Sequence, residues 1–175
     1  HIDDLKDNMA DEKQNIDIVF LKEWKKLYDL MWKNNCVIAP NRFIKIIQII
    51  AKEKNNDLFL SFQQNDVTEF LYFLLDCFHN GLKIYDSKLL NNQLKVIEKY
   101  EESKFVDFFK NHYKNNYSFI EYLFSGIYKI DYVDEKTKKI ISTRYESFYM
   151  IDIPLHKLNL LECLDNYFEV EIMNE

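Results

Sequence analysis

The side chains best placed to do chemistry fall in one short run, Gln64-Asn65-Asp66-Val67-Thr68-Glu69-Phe70-Leu71. Asp66 and Glu69 stand three residues apart just ahead of an apolar stretch. That is the spacing of a helix capping box, in which side-chain oxygens take up backbone N–H groups that the first turn leaves unbonded. Two carboxylates fixed at a helix start have a second use, because they can make charge-assisted and bidentate bonds to a guanidinium group. Capping is the commoner use of Asp-x-x-Glu and needs no ligand. The two uses are compatible, since Glu69 has one oxygen to give to each. Nucleophilic chemistry is harder to place. A cysteine hydrolase needs a thiolate, a histidine beside it to take the proton, and donors for the oxyanion. Cys36, Cys77 and Cys163 are widely spaced, and His79, His112 and His156 stand in no recognisable motif with an acid or a cysteine. Packed thiols and structural or surface histidines are therefore expected, and no catalytic residue is assigned. With no CxxC pair, the cysteines suggest neither a disulfide framework nor a zinc site.

The elements that would position Asp66 and Glu69 follow from periodicity. Phe20, Leu21, Trp24, Leu27, Tyr28 and Met31 recur at three- and four-residue intervals, the stripe of an amphipathic helix. A second helix is expected from Pro40, with Phe43, Ile46, Ile47 and Ile50 inward and the polar run KEKNND ending it. Asp66 opens a third, with Phe70, Leu71, Leu74, Cys77 and Phe78 as its apolar face and Asn80-Gly81 closing it. Leu89 to Tyr113 is more charged and less periodic, and reads as a surface insertion. Beyond Ser118 the pattern changes: Ile127–Val133 and Lys139–Phe148 are rich in β-branched and aromatic residues around Asp134-Glu135-Lys136-Thr137. A β-hairpin is expected there, continued by a strand through Tyr149, Ile151 and Ile153. Asn159 with Glu162 starts a last short helix carrying Leu160, Leu161, Leu164 and Phe168.

Composition narrows the function classes. The chain has 175 residues, 47% of them hydrophobic, and only two glycines and two prolines, enough to bury a sizeable core with little structureless linker. A net charge of −6 argues against a nucleic-acid surface, which needs clustered Lys and Arg, and favours basic partners. No apolar run approaches the roughly 18 residues that a membrane span requires. The acidic N-terminal lead is unlike a signal peptide, so an intracellular protein, cytoplasmic or nuclear, is expected. The chain begins at His1 rather than Met, and reads as a fragment of a longer product.

The run from Gln64 to Leu71, followed by Tyr72-Phe73-Leu74-Leu75-Asp76, resembles the glutamine box of the ubiquitin-specific proteases, usually Gln-Gln-Asp-Ala-x-Glu-Phe-Leu leading into an apolar helix. Trp32 and Ile38-Ala39-Pro40-x-x-Phe43 resemble that family's tryptophan and Ile-Pro-x-x-Phe elements. Downstream, Leu123-Phe124-Ser125-Gly126, Glu146-Ser147-Phe148, Ile151-Asp152-Ile153-Pro154, Leu161-Glu162-Cys163-Leu164 and Phe168-Glu169 follow in the family's order. Each piece alone is weak, but together they span about Leu21 to Glu171.

The resemblance implies an α+β architecture. Residues 1–116 would be a helical thumb-like part and 117–175 the start of a fingers and palm β part, together one incomplete domain. It implies that Asp66 and Glu69 bind the arginine-bearing C-terminal tail of ubiquitin, or of a ubiquitin-like protein, with Gln64 holding the local backbone or the tail. The family's nucleophile lies in a Gly-Asn-Thr-Cys-Tyr box and its histidine in a Gly-His-Tyr box, and neither is in this sequence. Many members also carry a CxxC pair at the fingertip, where Asp134 and Thr137 stand here and cannot form a thiolate zinc site. No metal or cofactor is expected. The parent activity implied is hydrolysis of the bond after ubiquitin's C-terminal glycine, with this segment recognising ubiquitin and the rest of its own protease domain as a further partner. Two alternatives stay open: a natural pseudo-protease that binds ubiquitin, and an unrelated helical interaction domain.

Overall fold

The computed structural model of the chain describes residues 16–33, 37–83, 88–100, 102–114 and 116–171. The acidic lead and Cys36 lie outside the described residues. The chain divides into two compact units, residues 1–124 and 125–175.

The first unit is helical. Helix α1 (Ile16–Met31) carries the expected stripe, and Phe20 is wholly buried, but the stripe runs out of partners at its end, where Tyr28 and Met31 are about half exposed. Helix α2 (Asn41–Glu53) begins directly after Pro40 and buries Phe43, Ile46, Ile47 and Ile50, the expected face, together with Ala51. A 3-10 turn, η1 (Asp57–Phe59), is capped by the Asn56 side chain and drives Phe59 into the core. Helix α3 (Val67–Gly81) contributes Phe73 and Cys77. Of its expected inner face, Cys77 is buried and Phe70, Leu74 and Phe78 pack against the core, but Leu71 is 43% exposed and Phe73, not expected there, is only 7% exposed. Apolar residues occupy almost every position from Phe70 to Leu75, so periodicity alone does not select the face, and Phe59 does, its ring lying 5.0 Å from that of Phe73.

Gly81 departs from expectation too. It is the last helical residue, has no positive φ, and is followed by Leu82 as the C-cap. Its small size is needed because a Cβ there would lie 2.7 Å from Leu21 Cδ1 and 2.8 Å from the Asp17 carbonyl, so α3 meets α1 backbone to backbone.

The segment read as a surface insertion is two helices, α4 (Lys88–Tyr100) and α5 (Ser103–Tyr113), packed on each other. Leu90, Val106, Phe109 and Tyr113 are buried, and Glu98 pairs with Lys110 at 2.7 Å. The few apolar residues sit on one face of each helix, and a short charged sequence hides so narrow a stripe. Tyr113 and Tyr117 meet edge to face, and α6 (Phe119–Phe124) closes the unit.

The second unit is a hairpin with a helix. Strands β1 (Gly126–Val133) and β2 (Ile140–Phe148) pair antiparallel, Gly126 opposite Phe148, with an irregularity at Tyr132/Val133. The turn is held locally: Asp134 Oδ1 accepts from the Thr137 N–H at 2.6 Å, and Lys138 takes the left-handed conformation at φ 55°. Hydrogen bonds from Thr137, its side-chain hydroxyl first and its N–H second, hold the Asp134 carboxyl below its ordinary range. Across the ladder Thr143 donates to Asp131 at 2.6 Å. The expected strand through Tyr149, Ile151 and Ile153 does not form, and the sheet among the described residues has two strands. Alternating side chains extend the backbone there, but a strand also needs a neighbour to take its N–H and C=O groups, and Pro154 has no N–H to give. Helix α7 (Leu160–Tyr167) is capped by Asn159: the Glu162 N–H donates to Asn159 Oδ1 at 2.9 Å, and the two side chains also meet, Asn159 Nδ2 donating to Glu162 Oε1 at 2.7 Å. Tyr167 reaches the hairpin, its hydroxyl 3.1 Å from that of Tyr128. Mixed helix and antiparallel strand make the chain α+β.

Candidate functional site

The start of α3 is built by three local interactions. Asn56 accepts from the Leu58 N–H at 3.1 Å and fixes η1. Asn65 then donates to the carbonyls of Leu58 and Gln63, at 2.8 and 3.3 Å, folding the connecting loop against η1. Asp66 Oδ1 finally accepts from the N–H groups of Thr68 and Glu69 at 2.7 and 3.2 Å. Two of the four orphan donors of the helix are thereby satisfied by one oxygen. Unlike the Asn159 and Glu162 side chains of α7, those of Asp66 and Glu69 do not bond each other, and Glu69 is exposed.

Gln64, Asp66 and Glu69 are all exposed, Gln64 in the loop before α3, Asp66 at its N-cap and Glu69 in its first turn. The backbone-holding role expected of Gln64 is carried by its neighbour Asn65, which sequence reasoning did not single out. The signal was available, since Asn beside a turn bonds nearby backbone more readily than Gln does. Asp66 and Glu69 stand at the N-terminal, positive end of the α3 dipole.

Glu69 also lines a shallow cleft of about 420 Å3 between η1 and α3, together with Leu58, Phe59, Tyr72 and Phe73. Lys54 lines it too, and its ammonium lies 2.5 Å from Asp76 and 2.9 Å from Asp17. Burial alone would lower the Lys54 pKa, but the hydrogen bonds to Asp76 and Asp17 outweigh it and the ammonium titrates above its ordinary value. Glu23, buried on α1, is held by the opposite logic. Burial would raise its pKa, yet Lys26 at 2.7 Å and Arg42 at 2.6 Å bring it below the ordinary range. Pairs such as Glu23–Arg42 and Lys54–Asp17 join residues far apart in sequence and leave no motif.

No described cysteine is poised for catalysis. Cys77 is wholly buried, and burial pushes its thiol up to about 12, so at neutral pH it is protonated and inert. Cys163 is 3% exposed and its Sγ points at the Lys157 carbonyl at 3.9 Å. His79 was expected to be structural and is buried in a polar cluster: Nδ1 lies 2.8 Å from Ser118 Oγ and 3.5 Å from Glu121 Oε1, and Nε2 lies 3.2 Å from Asn116 Oδ1. The acid near it comes from α6, some forty positions on, so the sequence does not announce it. Both ring nitrogens are engaged in tying α3 to the segment before α6, and no thiol is among their partners. His112 stacks on Phe108, and His156 is exposed in a loop. Among the described residues no group of three His, Cys, Asp or Glu side chains is arranged to hold a metal ion, and no helix is long and apolar enough to cross a membrane.

Comparison with known proteins gives this site its context. The family model of the ubiquitin carboxyl-terminal hydrolases matches residues 1–164. A probable ubiquitin carboxyl-terminal hydrolase of Acanthamoeba polyphaga mimivirus is 24% identical over 197 aligned positions, covering 85% of this chain and 41% of the relative. The chain thus spans about two fifths of the length of that curated protein. The match runs through both units, from the helices that set out Asp66 and Glu69 to the hairpin and the first turn of α7. The chain belongs to the ubiquitin carboxyl-terminal hydrolase family.

Proposed function

We propose that this chain is the ubiquitin-recognising part of a deubiquitinating hydrolase and carries no chemistry of its own. On this reading Asp66 and Glu69 receive the arginine-bearing tail of ubiquitin, and Gln64 lines the same edge. The helical unit takes the place of a thumb and the hairpin that of fingers. The bond after ubiquitin's C-terminal glycine is cut by groups that the parent protein supplies elsewhere. Family membership sets aside the unrelated helical module.

The observation that carries the reading is the division of labour at α3. Asp66 caps the helix through Oδ1, and the exposed Glu69 follows three residues on, so two carboxylates stand at one helix start. A guanidinium group can make charge-assisted bonds to both. The absence of catalysis is supported by the burial of Cys77 and Cys163 and by the engagement of His79. Titration of isotope-labelled ubiquitin tests the reading: shifts concentrated in the C-terminal tail, weakening as salt rises, are expected. A spectrum that stays unchanged at millimolar chain refutes it. Turnover of a ubiquitin C-terminal ester or amide by the purified chain would overturn the non-catalytic part alone.

A further inference from the structure

A second recess, between α1 and α2, has the opposite sign to the start of α3. It measures about 440 Å3 and shares no lining residue with the cleft at Glu69. Between Lys22 and Lys45 the sequence carries six cations, Lys22, Lys25, Lys26, Lys33, Arg42 and Lys45, against two acids, Glu23 and Asp29, in a chain whose net charge is −6. Both acids have cationic partners. Asp29 pairs with Lys25, and the buried Glu23 takes Lys26 at 2.7 Å and the fork of Arg42 at 2.6 and 3.0 Å. One carboxylate between two cations leaves a positive charge in excess. Arg42 gives Nε and Nη2 to Glu23 and keeps Nη1, and the side chains of Arg42 and Lys26 are 59% and 58% exposed. The guanidinium is therefore held in a set plane with donors to spare. It stands in the first turn of α2, which has no acid there and no side-chain cap. An anion received at Arg42 is thus favoured by the helix dipole as well as by the cations.

We propose that the recess between α1 and α2 docks an acidic segment of a partner protein, with a carboxylate of that segment bonding Arg42 and Lys26. This goes beyond the ubiquitin-tail reading and does not rest on it, since an arginine-bearing tail is repelled here. Leu27, Leu30, Pro40 and Phe43 line the same recess, which suits a peptide with apolar groups better than a bare inorganic anion. A membrane fits less well. Glu23 and Asp29 line the recess among the cations, whereas a helix that lies on lipid keeps its polar face basic.

Panning a random peptide library on the whole chain tests this, with the enriched peptides then measured by fluorescence anisotropy against variants. Acidic sequences are expected, bound more weakly as salt rises. Arg42→Gln should weaken them about fivefold, the worth of one exposed charge-assisted bond. Because that change also takes a partner from the buried Glu23, a second variant keeps the test independent of folding. Asp29→Lys replaces an exposed acid that lines the recess, and should tighten the same peptides by a similar factor, which a misfolded chain cannot do. A library that returns no acidic sequence overturns the proposal, as do acidic peptides that bind Arg42→Gln and Asp29→Lys as they bind wild type. Sedimentation with phosphatidylserine vesicles that Arg42→Gln abolishes, without binding of any acidic peptide, assigns the face to lipid and equally overturns it.

Discussion

Replacing Asp66 by asparagine and, separately, by alanine separates two roles that one side chain can hold at once. Asp66 Oδ1 receives the Thr68 and Glu69 N–H groups at 2.7 and 3.2 Å. Alanine removes that acceptor, and loss of an N-cap costs about 1 kcal/mol. Loss of a negative charge from the positive end of the helix adds about 0.5 kcal/mol. Asparagine presents an oxygen at the same place and caps as well as aspartate, so only the second cost remains. For a chain of this size about 1 kcal/mol moves the melting temperature by roughly 2–4 °C. Asp66→Ala should therefore melt about 3–6 °C lower and Asp66→Asn no more than about 2 °C lower. Binding should sort the variants differently. If the remaining lone pairs of Asp66 meet an arginine of the ubiquitin tail, both variants lose a charge-assisted bond worth about 1 kcal/mol at an exposed site, close to fivefold in Kd. Circular dichroism melting and titration of labelled ubiquitin, each at low and at 0.5 M salt, read the two axes independently. The binding difference should fade at the higher salt and the stability difference persist. Asp66→Asn binding ubiquitin as wild type does at low salt refutes the role in binding. Equal melting of the two variants refutes the capping account.

The other expectations concern the scaffold and the buried groups. Phe20→Ala empties a wholly buried site between α1 and α2 and should cost about 3–5 kcal/mol, read as a lower urea midpoint at unchanged slope. Gly126→Ala would place a Cβ 2.3 Å from the Phe148 ring, and an overpacking penalty of about 1–3 kcal/mol is expected. Amide exchange should quicken in β1 and β2 and be rescued by Gly126→Ala combined with Phe148→Leu. Glu23 has its pKa lowered by its partners, so its contribution is present above the ordinary carboxylate range and is lost as pH falls through the lowered value. Glu23→Gln should accordingly be less stable than wild type near neutrality and converge with it in acid, as measured by melting across pH. Cys77, its thiol raised to about 12, should resist iodoacetamide at pH 8 until the chain is unfolded in urea; peptide mapping that finds it alkylated in the native chain would contradict its burial.

Local chemistry was readable wherever it lay within a few residues. The stripe of α1, the inward face of α2, the cap at Asp66, the hairpin and the box at Asn159–Glu162 all follow from side chains close in sequence, and the structure contains each. What could not be read depended on contacts across the chain. The burial of Phe73 rather than Leu71 on α3 was decided by Phe59, the packing of α4 on α5 by a narrow stripe, and the role of Gly81 by the closeness of α1. Tyr149 to Ile153 failed as a strand for the converse reason, since the local pattern was present and a partner was not. The candidate site divides along the same line. Asp66 and Glu69 were visible as a spaced pair, whereas the cleft beside them is assembled from Lys54, Leu58 and Asp76, brought together by the packing of three elements.

Lys54 stands just past the end of α2 and meets Asp17 of α1 and Asp76 of α3, so one ammonium is the meeting point of three helices. The three positions are not exchangeable in any order. Asp76 is half exposed and can be lost while Lys54 keeps Asp17, whereas losing Lys54 removes the cation 2.9 Å from the buried Asp17 carboxylate and from Asp76 at once. Variant libraries at these sites should show that asymmetry, with Lys54 substitutions costing more than Asp76 substitutions.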